Sequence, residues 1–467
     1  MPISHAILLM APLLLSTDDG CGRGHSCDLV HACHPGPDGI LAGGLVRTPS
    51  RPGSPLAGGV DDVETIEMNG PVENRIDLVF VGDGYLENEL SSYAARCELS
   101  LEELFQEEPF TSYRPFFNAH RVDVISAESG VDNDPTQGIE RNTALDMGFW
   151  CSGIERLLCV SVNAANSAAN AAPDTDQIFA VANSTKYGGA GYTSADIATF
   201  SSDNSSSMLV AIHELGHSLG ELADEYDYGG GTTWTGGELS EANVSILTAA
   251  EMLDAKSKWF RWIGFSQPGL GNHDTFEGGR YYEQGIFRPT FTSMMRELSS
   301  PFNMPGREGL IIEFSKIVDL VESRSPASSA VPADGIASVV AVEPLHGLEY
   351  RWFLDGVEIP GETAPTLDLA STEGVEEGDQ LTIEIVDATS MVRDENARSM
   401  WMTRQVSWTI DAPTTPDPDL NGDGRVDGAD LGIMLAYWGA TGTDGDLNGD
   451  GNVDGGDLGL LLVAWTG

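Results

Sequence analysis

The residues with the clearest chemistry lie in the sequence HELGHSLGELADEYDY, residues 213–228. On a helix, His213 and His217 are four residues apart and project from one face, close enough to bind one Zn²⁺ ion together. Glu214 then faces the water at that ion and can act as its general base. The preceding residues SSMLVAI supply a helix start with apolar packing positions. The pattern therefore predicts a catalytic zinc site on a helix.

A catalytic zinc ion needs a third protein ligand and an open fourth position. The metzincin pattern HExxHxxGxxH would place that ligand at the residue before Asp224, which is an alanine and cannot bind metal. We expect Asp224 to be the third ligand, with Glu225 as the second choice. A thermolysin-like arrangement would instead use Glu238 or Glu241 from a later helix. Gly220 argues against it, because the helix of such enzymes continues past this point.

A second candidate feature of a zinc peptidase lies further along the chain. The sequence RPTFTSMMRELSSPF contains Ser293, Met294 and Met295 in an S-x-M arrangement, and a methionine turn beneath the zinc is a metzincin signature. The alternative is that both methionines are ordinary core residues. Where the metzincin turn can end in tyrosine this chain has Glu297, so no transition-state tyrosine is assigned there.

These segments closely resemble peptidase family M64, the IgA-peptidase-type zinc metallopeptidases of bacteria. The resemblance covers roughly residues 72–320. The motifs that carry it are HELGHSLGELADEYD, ESGVDNDP (128–135), NTALDMGFWCSGIERLLCV (142–160) and RPTFTSMMRE (288–297).

The resemblance implies a metzincin-like fold and hydrolysis of a polypeptide substrate. It implies one zinc ion held by His213, His217 and an acidic residue that matches Asp224, with Glu214 catalytic. Cleavage of IgA belongs to particular members and is not carried over to this chain. The candidate donors to a developing oxyanion are Tyr226, Tyr228, His273, Tyr281 and Tyr282.

An internal repeat with a period of 27 residues ends the chain, where residues 419–439 return as residues 446–466. Each copy opens with an oxygen-rich loop in EF-hand register, with Gly424 or Gly451 at the sixth position, where the loop must turn sharply. Without a cation, such closely packed carboxylates would repel one another, so two structural Ca²⁺ ions are predicted. The predicted ligands are Asp419, Asn421, Asp423, the carbonyl of Arg425, Asp427 and Asp430, and then Asp446, Asn448, Asp450, the carbonyl of Asn452, Asp454 and Asp457.

The residues behind each loop predict a short amphipathic helix, with Leu431, Met434 and Trp438 on one face of the first copy. Each copy is too small to bury that face alone, so the two copies should pack together. The arrangement closely resembles the type I dockerin module, which implies docking onto a cohesin-like or other cell-surface partner. In that family, loop positions ten and eleven help to select the cohesin. Here they are Gly428-Ala429 and Gly455-Gly456 rather than hydroxyl residues, which puts a conventional cohesin partner in doubt.

The elements around the zinc motif predict an α+β domain over residues 71–325, with a mixed sheet and the active-site helix. Residues 87–105 have helical spacing. Short apolar runs are predicted as buried strands in RIDLVFVGDGY (75–85), RVDVIS (121–126), LLCVSV (157–162) and IFAVAN (178–183).

The sequence pattern changes after the linker at residues 323–335, which is rich in Ser, Pro and Ala. Short strands with regular turns predict a small Ig-like β-sandwich over 336–411, with a hairpin at Asp355-Gly356. Such a module usually acts as a spacer or a contact for substrate. A Pro/Thr linker at 412–418 then leads into the repeats at 419–467.

The N-terminal residues predict export. Residues 6–15 are an apolar run of signal-peptide length within a probable signal segment, 1–20, and are too short to span a bilayer. Residues 21–70 are expected to be a leader or linker, including a cluster of three cysteines and three histidines without the spacing of a zinc ribbon. An exported protein can contain disulfides, and Cys151–Cys159 is the preferred pair.

The charge balance limits the partners. The chain of 467 residues has 72 Asp and Glu against 24 Lys and Arg, a formal net charge of −48. Such a surface repels nucleic acid and anionic membranes and attracts cations.

From the zinc motif and the predicted export, we predict a secreted or cell-surface zinc metalloendopeptidase acting on extracellular proteins. The alternative is a non-catalytic surface or scaffold-docked binding protein with a structural or vestigial zinc site, which would need a fourth Cys or His ligand.

Overall fold

The computed structural model separates into two compact units. The described residues are 26–36, 39–51, 60–412, 417–441 and 445–466, so the predicted signal segment lies outside them. The first unit consists of the described residues up to Leu320 together with Val342–Leu348 and Asp387–Met402. The second consists of Val321–Ala341, Glu349–Val386 and the described residues from Thr403 onward.

An eight-stranded mixed sheet forms the frame of the first unit, in the order β2-β1-β7-β8-β6-β4-β5-β3. The neighbours β8, β6, β4 and β5 run parallel, whereas β7, β1, β2 and β3 are antiparallel to their neighbours. The strands are β1 (Cys27–Pro35), β2 (Leu41–Pro49), β3 (Val60–Glu67), β4 (Ile76–Asp83), β5 (Phe117–Val124), β6 (Gln177–Ala182), β7 (Gly189–Tyr192) and β8 (Ile197–Ser201).

Helices and two small hairpins complete the first unit. The helices are α1 (Leu90–Leu104), α2 (Val162–Ala169), α3 (Ser207–Ser218), α4 (Ala249–Ala255), α5 (Met304–Ile317) and α6 (Glu395–Trp401). The hairpins are β9 (Ser266–Gln267) with β10 (Gly271–Asn272), and β11 (Phe276–Gly279) with β12 (Tyr282–Arg288). No helix in the described part of the chain combines the length and hydropathy of a transmembrane segment.

The fold of this unit is mixed α+β, as predicted. Every residue of β4, β5 and β6 is buried, as expected for central parallel strands covered on both faces. The prediction of a strand at residues 157–162 is wrong. These residues form isolated bridges, Cys159 with Gly148 and Leu157 with Gly189, and then Ser161 caps α2. The predicted disulfide Cys151–Cys159 is present at the start of this segment.

The expectation that residues 21–70 are only a leader or linker is also wrong for the described part of that range. Residues 27–35 and 41–49 pair along their whole length as an antiparallel hairpin, and β3 pairs with β5. Glycine is required within this hairpin. In β2, Gly43 has a φ of 157° and a Cβ there would lie 1.5 Å from the carbonyl oxygen of Ala32, so only glycine fits.

The second unit contains two small sheets, β13-β15-β18 and β14-β20-β19-β16-β17. Trp352 and Trp408 stack at 6.0 Å in its core. The predicted hairpin is confirmed: Asp355 and Gly356 both have positive φ, as the tight turn between β16 and β17 requires. The strands are β13 (Val321–Ser325), β14 (Ala330–Pro332), β15 (Ile336–Ala341), β16 (Glu349–Leu354), β17 (Val357–Glu358), β18 (Thr366–Asp368), β19 (Gln380–Val386) and β20 (Thr403–Asp411).

Each terminal repeat forms one short helix, α7 (Gly428–Ala436) and α8 (Gly455–Val463). Residues of both copies share one apolar cluster built on Met434 and Leu461. The predicted apolar face is only partly buried, since Trp438 remains 47% exposed and Trp465 39% exposed.

A buried carboxylate holds the loop that follows β5 against the end of β4. Asp83 accepts hydrogen bonds from the backbone N–H groups of Leu145 and Met147, both at 2.8 Å, and from the hydroxyl of Thr143 at 2.8 Å. Burial raises the pKa of this carboxyl, and these donors offset part of that effect.

We predict that Asp83→Ala lowers the free energy of unfolding of the first unit by about 3–5 kcal/mol, because it leaves two backbone N–H groups and a hydroxyl buried without an acceptor. The measurement is thermal and urea unfolding. Asp254→Ala, on the exposed face of α4, is the control and should change the free energy by no more than about 0.5 kcal/mol. Equal effects of the two substitutions would contradict the anchoring role of Asp83.

Candidate metal centre

Helix α3 presents two imidazoles on one buried face. Gly189 of β7 lies close against Val210, so the helix packs directly on the sheet. The Nδ1 atom of His213 lies 3.0 Å from the carbonyl oxygen of Met294, and that of His217 lies 2.6 Å from the carbonyl oxygen of Leu222. A carbonyl only accepts, so in the neutral imidazoles Nδ1 carries the proton. Both Nε2 lone pairs are therefore free for a metal.

A sharp turn after α3 brings an aspartate back to these imidazoles. The residue of this turn in the left-handed region is Glu221, with a φ of 49°. Gly220 is required for space: a Cβ there would lie 2.8 Å from the carbonyl oxygen of Gly216 and from a methyl group of Leu310. The turn places Asp224 opposite the helix, fully buried.

The spacing of three ligand atoms matches a tetrahedral zinc ion. The Nε2 atoms of His213 and His217 are 3.2 Å apart, and Asp224 Oδ1 lies 3.2 Å and 3.4 Å from them. For bonds of about 2.0–2.1 Å, neighbouring ligands of a tetrahedral ion lie about 3.3–3.4 Å apart. Within the described residues, Asp224 Oδ1 is buried without a hydrogen-bond partner. Three lone pairs thus face one another, an arrangement that a cation satisfies.

Two tyrosines border this aspartate. Tyr281 donates a short hydrogen bond to Asp224 Oδ2, and the Tyr226 hydroxyl lies 3.1 Å from a ring nitrogen of His31. Tyr281 has a φ of 74°, and its backbone N–H is held by the carbonyl of Tyr226 at 3.0 Å. Strained backbone of this kind persists where the surroundings fix it, and here it aims a hydroxyl at the centre. Tyr228 stacks on Tyr281 at 5.1 Å.

The other carboxylates considered as third ligands lie elsewhere. Glu225 accepts hydrogen bonds from Asn243 at 2.9 Å, Asn303 at 2.8 Å and Ser293 at 2.7 Å, so both of its oxygens are satisfied away from the imidazoles. Glu238 accepts from Ser245, and Glu241 pairs with Arg280. His273 accepts from the N–H of Met304, and Tyr282 packs edge-on against Trp234, so neither contacts the centre.

The methionine segment lies directly beneath the helix. A Cβ at Gly216 of α3 would lie 2.6 Å from the sulfur of Met295, and the carbonyl of Met294 holds His213. The carbonyl of Met295 also accepts from the N–H of Glu225 at 2.8 Å. The segment therefore supports both the helix and the turn that carries Asp224.

Glu214 lies beside the three ligand atoms and is only 3% exposed. Burial would raise the pKa of this carboxyl, but the imidazoles around it lower the pKa below its usual value. Gly191 of β7 gives it room, because a Cβ at that position would lie 1.9 Å from a carboxylate oxygen of Glu214. The side chain is ionised and adjacent to the predicted metal, as a general base must be.

A histidine and a cysteine that the sequence reasoning assigned to a leader also reach the centre. His31 of β1 lies between Glu214, at 2.9 Å, and Asp224, at 3.0 Å. Cys33, two residues further on the same face of the strand, has its sulfur 3.6 Å from Glu214. The only signal in the sequence was the spacing of His31 and Cys33, which places both on one face of a strand.

The predicted calcium loops have the backbone turns that the repeat requires. Gly424 and Gly451 have φ values of 85° and 90°. Asp430 and Asp457 complete capping boxes at the starts of α7 and α8. In the described part of the chain, the groups of three or more His, Cys or carboxylate side chains whose ligand atoms converge within 4.8 Å belong to the imidazole centre and include none of these aspartates.

We predict that Asp224→Ala lowers zinc affinity by more than about 100-fold, because it removes a predicted direct ligand. Loss of a residue that only contacts a ligand typically costs about 10–100-fold. Glu225→Gln is the matched control, since the amide keeps the size of a side chain that accepts hydrogen bonds elsewhere. Zinc content after dialysis and competition with a chelator measure both. Loss of zinc in Glu225→Gln with retention in Asp224→Ala would reverse the assignment of the third ligand.

A comparison with known families matches part of the chain. Residues 65–271 match the model of the family described as IgA Peptidase M64, a span that contains α3 and Asp224 but not β1, Tyr281 or Met294. Comparison with curated proteins found no significant match. The matched part of the chain is similar to a family of metallopeptidases, which supports a protease.

Proposed function

We propose that the protein is a secreted zinc-dependent metalloendopeptidase that hydrolyses extracellular proteins. The observation that carries the proposal is the set of three ligand atoms separated by 3.2–3.4 Å, with the ionised Glu214 beside them. This set lies within the span that matches a peptidase family. The disulfide Cys151–Cys159 supports an oxidising compartment outside the cytosol.

His213, His217 and Asp224 would hold the zinc ion, and Asp224 would balance part of its charge. A bound zinc ion supplies Lewis-acid polarisation of the scissile carbonyl and lowers the pKa of water. Glu214 takes a proton from the attacking water and passes it to the leaving amine. The Tyr226 hydroxyl lies at the centre, 3.1 Å from a ring nitrogen of His31, and would hydrogen-bond the carbonyl oxygen as it gains charge, whereas the Tyr281 hydroxyl already donates its proton to Asp224.

The rival proposal is a structural zinc site in a binding protein, and one observation favours it. His31 adds a fourth ligand atom to the set, with all four within 4.8 Å of one another, which is the composition of a closed site. A purely structural site does not need Glu214, a buried carboxylate outside the ligand set. The presence of that carboxylate favours catalysis.

We predict that Glu214→Gln lowers peptide hydrolysis by about 10²–10⁴-fold while zinc stays bound, because the amide cannot accept the proton of the attacking water. Since His31 contacts Glu214, the substitution is compared in both the wild-type and the His31→Ala background. Digestion of a peptide library, analysed by mass spectrometry with and without a chelator, measures the loss and defines the cleavage specificity. Full activity of Glu214→Gln would exclude this mechanism.

We propose further that the terminal repeats bind two Ca²⁺ ions and dock the enzyme onto a surface or scaffold partner. The position-six glycines support this, because their positive φ gives the sharp turn of such loops. Asp446 Oδ1 is also buried without a hydrogen-bond partner in the described residues. The exposed Trp438 and Trp465 belong to the surface that would dock.

We predict that Asp430→Ala and Asp457→Ala each remove one Ca²⁺ ion per chain, because the twelfth loop residue is a direct ligand. Calorimetric titration gives the number of ions bound, and fluorescence of the exposed tryptophans follows ordering of the repeats. Asp411→Asn, at the end of β20, is the charge-matched control and should keep both ions. Unchanged stoichiometry in both loop variants would contradict the calcium proposal.

A further inference from the structure

Strand β1 covers the sheet edge beside the metal centre. β7 pairs with β8 on one side, and its other side is covered by β1, with His31 opposite Gly191. An uncovered edge of this kind binds an extended peptide by strand addition. The chain's own residues Cys27–Pro35 therefore lie where a peptide would run to reach Glu214.

The imidazole of His31 lies between the predicted general base, Glu214, and the predicted metal ligand Asp224. Its Nδ1 lies 2.9 Å from Glu214 Oε1, and its Nε2 lies 3.0 Å from Asp224 Oδ2. With the Nδ1 proton donated to Glu214, the Nε2 lone pair points toward the metal ligands, as in a zinc-bound histidine held by a carboxylate. The same contact engages Glu214, because His31 Nδ1 lies 2.9 Å and 3.1 Å from its two carboxylate oxygens and competes there with a water.

The hairpin β1–β2 packs against the residues that surround the predicted metal ligands. The thiol of Cys33 is buried 3.6 Å from Glu214. Gly44 of β2 makes room for Tyr228, because a Cβ there would lie 2.0 Å from the Tyr228 hydroxyl. Tyr228 in turn stacks on Tyr281, the hydrogen-bond donor to Asp224. Both strands thus contact the residues that surround the metal ligands.

The attachment of β1 to β7 is slight compared with its pairing to β2. Nine residue pairs join β1 to β2, from Cys27–Pro49 to Pro35–Leu41, whereas His31 and Gly191 are the paired residues between β1 and β7. Departure of the hairpin as one body would break few backbone hydrogen bonds of β1, but it would also remove Val30 and Ala32 from the core and break the hydrogen bond from the Leu41 N–H to the Arg296 carbonyl. In sequence it is joined to β3 by RPGSPLAGG, a stretch rich in proline and glycine.

We propose that the hairpin β1–β2 is a built-in inhibitor: β1 occupies the peptide-binding edge, and His31 is a fourth metal ligand that closes the centre. Displacement of the hairpin opens the fourth position and frees Glu214. This inference rests on the proposed peptidase function. It also explains how one site can have both the four ligands of a closed centre and the carboxylate of a catalytic one.

The test uses the full chain with residues 53–59 replaced by the recognition sequence of a site-specific protease, loaded with Co²⁺ as a spectroscopic probe. Three forms are compared: uncut, cut and freed of the hairpin by gel filtration, and uncut His31→Ala. His31→Gln serves if the alanine variant does not fold. Asp28→Asn, on the same strand but bonded to Ser50, is the control that should behave as wild type.

We expect the visible Co²⁺ spectrum of the uncut chain to change on cutting, and uncut His31→Ala to resemble the cut form. Alkylation of Cys33 by iodoacetamide should be at least about tenfold faster in the hairpin released from the cut protein than in the uncut chain. Mass spectrometry locates the alkylated residue, and the buried Cys97 is the internal reference. Peptide hydrolysis should rise at least about tenfold if less than a tenth of the uncut chain is open.

Identical Co²⁺ spectra in uncut wild type and His31→Ala would overturn the proposal, whether or not the cut hairpin leaves the protein. Measurable hydrolysis that is equal in the uncut and cut forms would overturn it as well. If the spectrum and the alkylation rate change as expected but no form cleaves any peptide, the closure is supported and the proposed peptidase function fails. The two failures are therefore distinguishable.

Discussion

The centre is organised by one buried carboxylate oxygen that lacks a hydrogen-bond donor. Asp224 Oδ1 faces two imidazole nitrogens whose protons are on the far side of each ring, so no neighbour among the described residues donates to it. A buried charge without a partner is costly, and a divalent cation removes that cost. The turn at Glu221, the space made by Gly220 and the hydrogen bond from Tyr281 all serve to hold this oxygen in place.

The adjacent residue shows why Asp224, rather than its neighbour, has this role. Glu225 is equally buried, but two amides and a hydroxyl satisfy both of its oxygens. Those donors, Asn243, Asn303 and Ser293, come from three separate segments of the chain. Glu225 therefore ties the turn after α3 to the rest of the unit, and its hydrogen bonds fix the position from which Asp224 points at the imidazoles.

The parts of this site that sequence predicts are the local ones. The four-residue spacing of His213 and His217 and the position of Glu214 follow from helical geometry alone. The third ligand was chosen by residue type, and the turn that delivers it needed contacts from Leu310 and Gly216 that no local pattern reveals. The prediction of a strand at LLCVSV was wrong because these residues form isolated bridges and lead into α2 instead of pairing along a sheet.

His31 could not be predicted because its partner Glu214 is 183 residues away. Contacts at that separation depend on which strand fills the sheet edge, and β2, with two glycines and a proline, carries little propensity for pairing. The spacing of His31 and Cys33 indicates a shared strand face only after the strand is known. The position of His31 and Cys33 at the centre therefore follows from the pairing of β1 with β7, which no local sequence pattern predicts.

A tethered segment does not need strong pairing to compete with substrate. A short linker gives an attached group an effective concentration of the order of millimolar. Substrates of peptidases and other enzymes typically bind with KM values between about 1 μM and 1 mM, so a hairpin whose own affinity lies in this range would be displaced only by peptide present above its KM. Once the connection is cut, that advantage is lost by dilution. The slight main-chain pairing of β1 with β7 and the contact of His31 with Asp224 are therefore both compatible with the proposed inhibition, in which the tether would provide occupancy and His31 would provide the closed geometry.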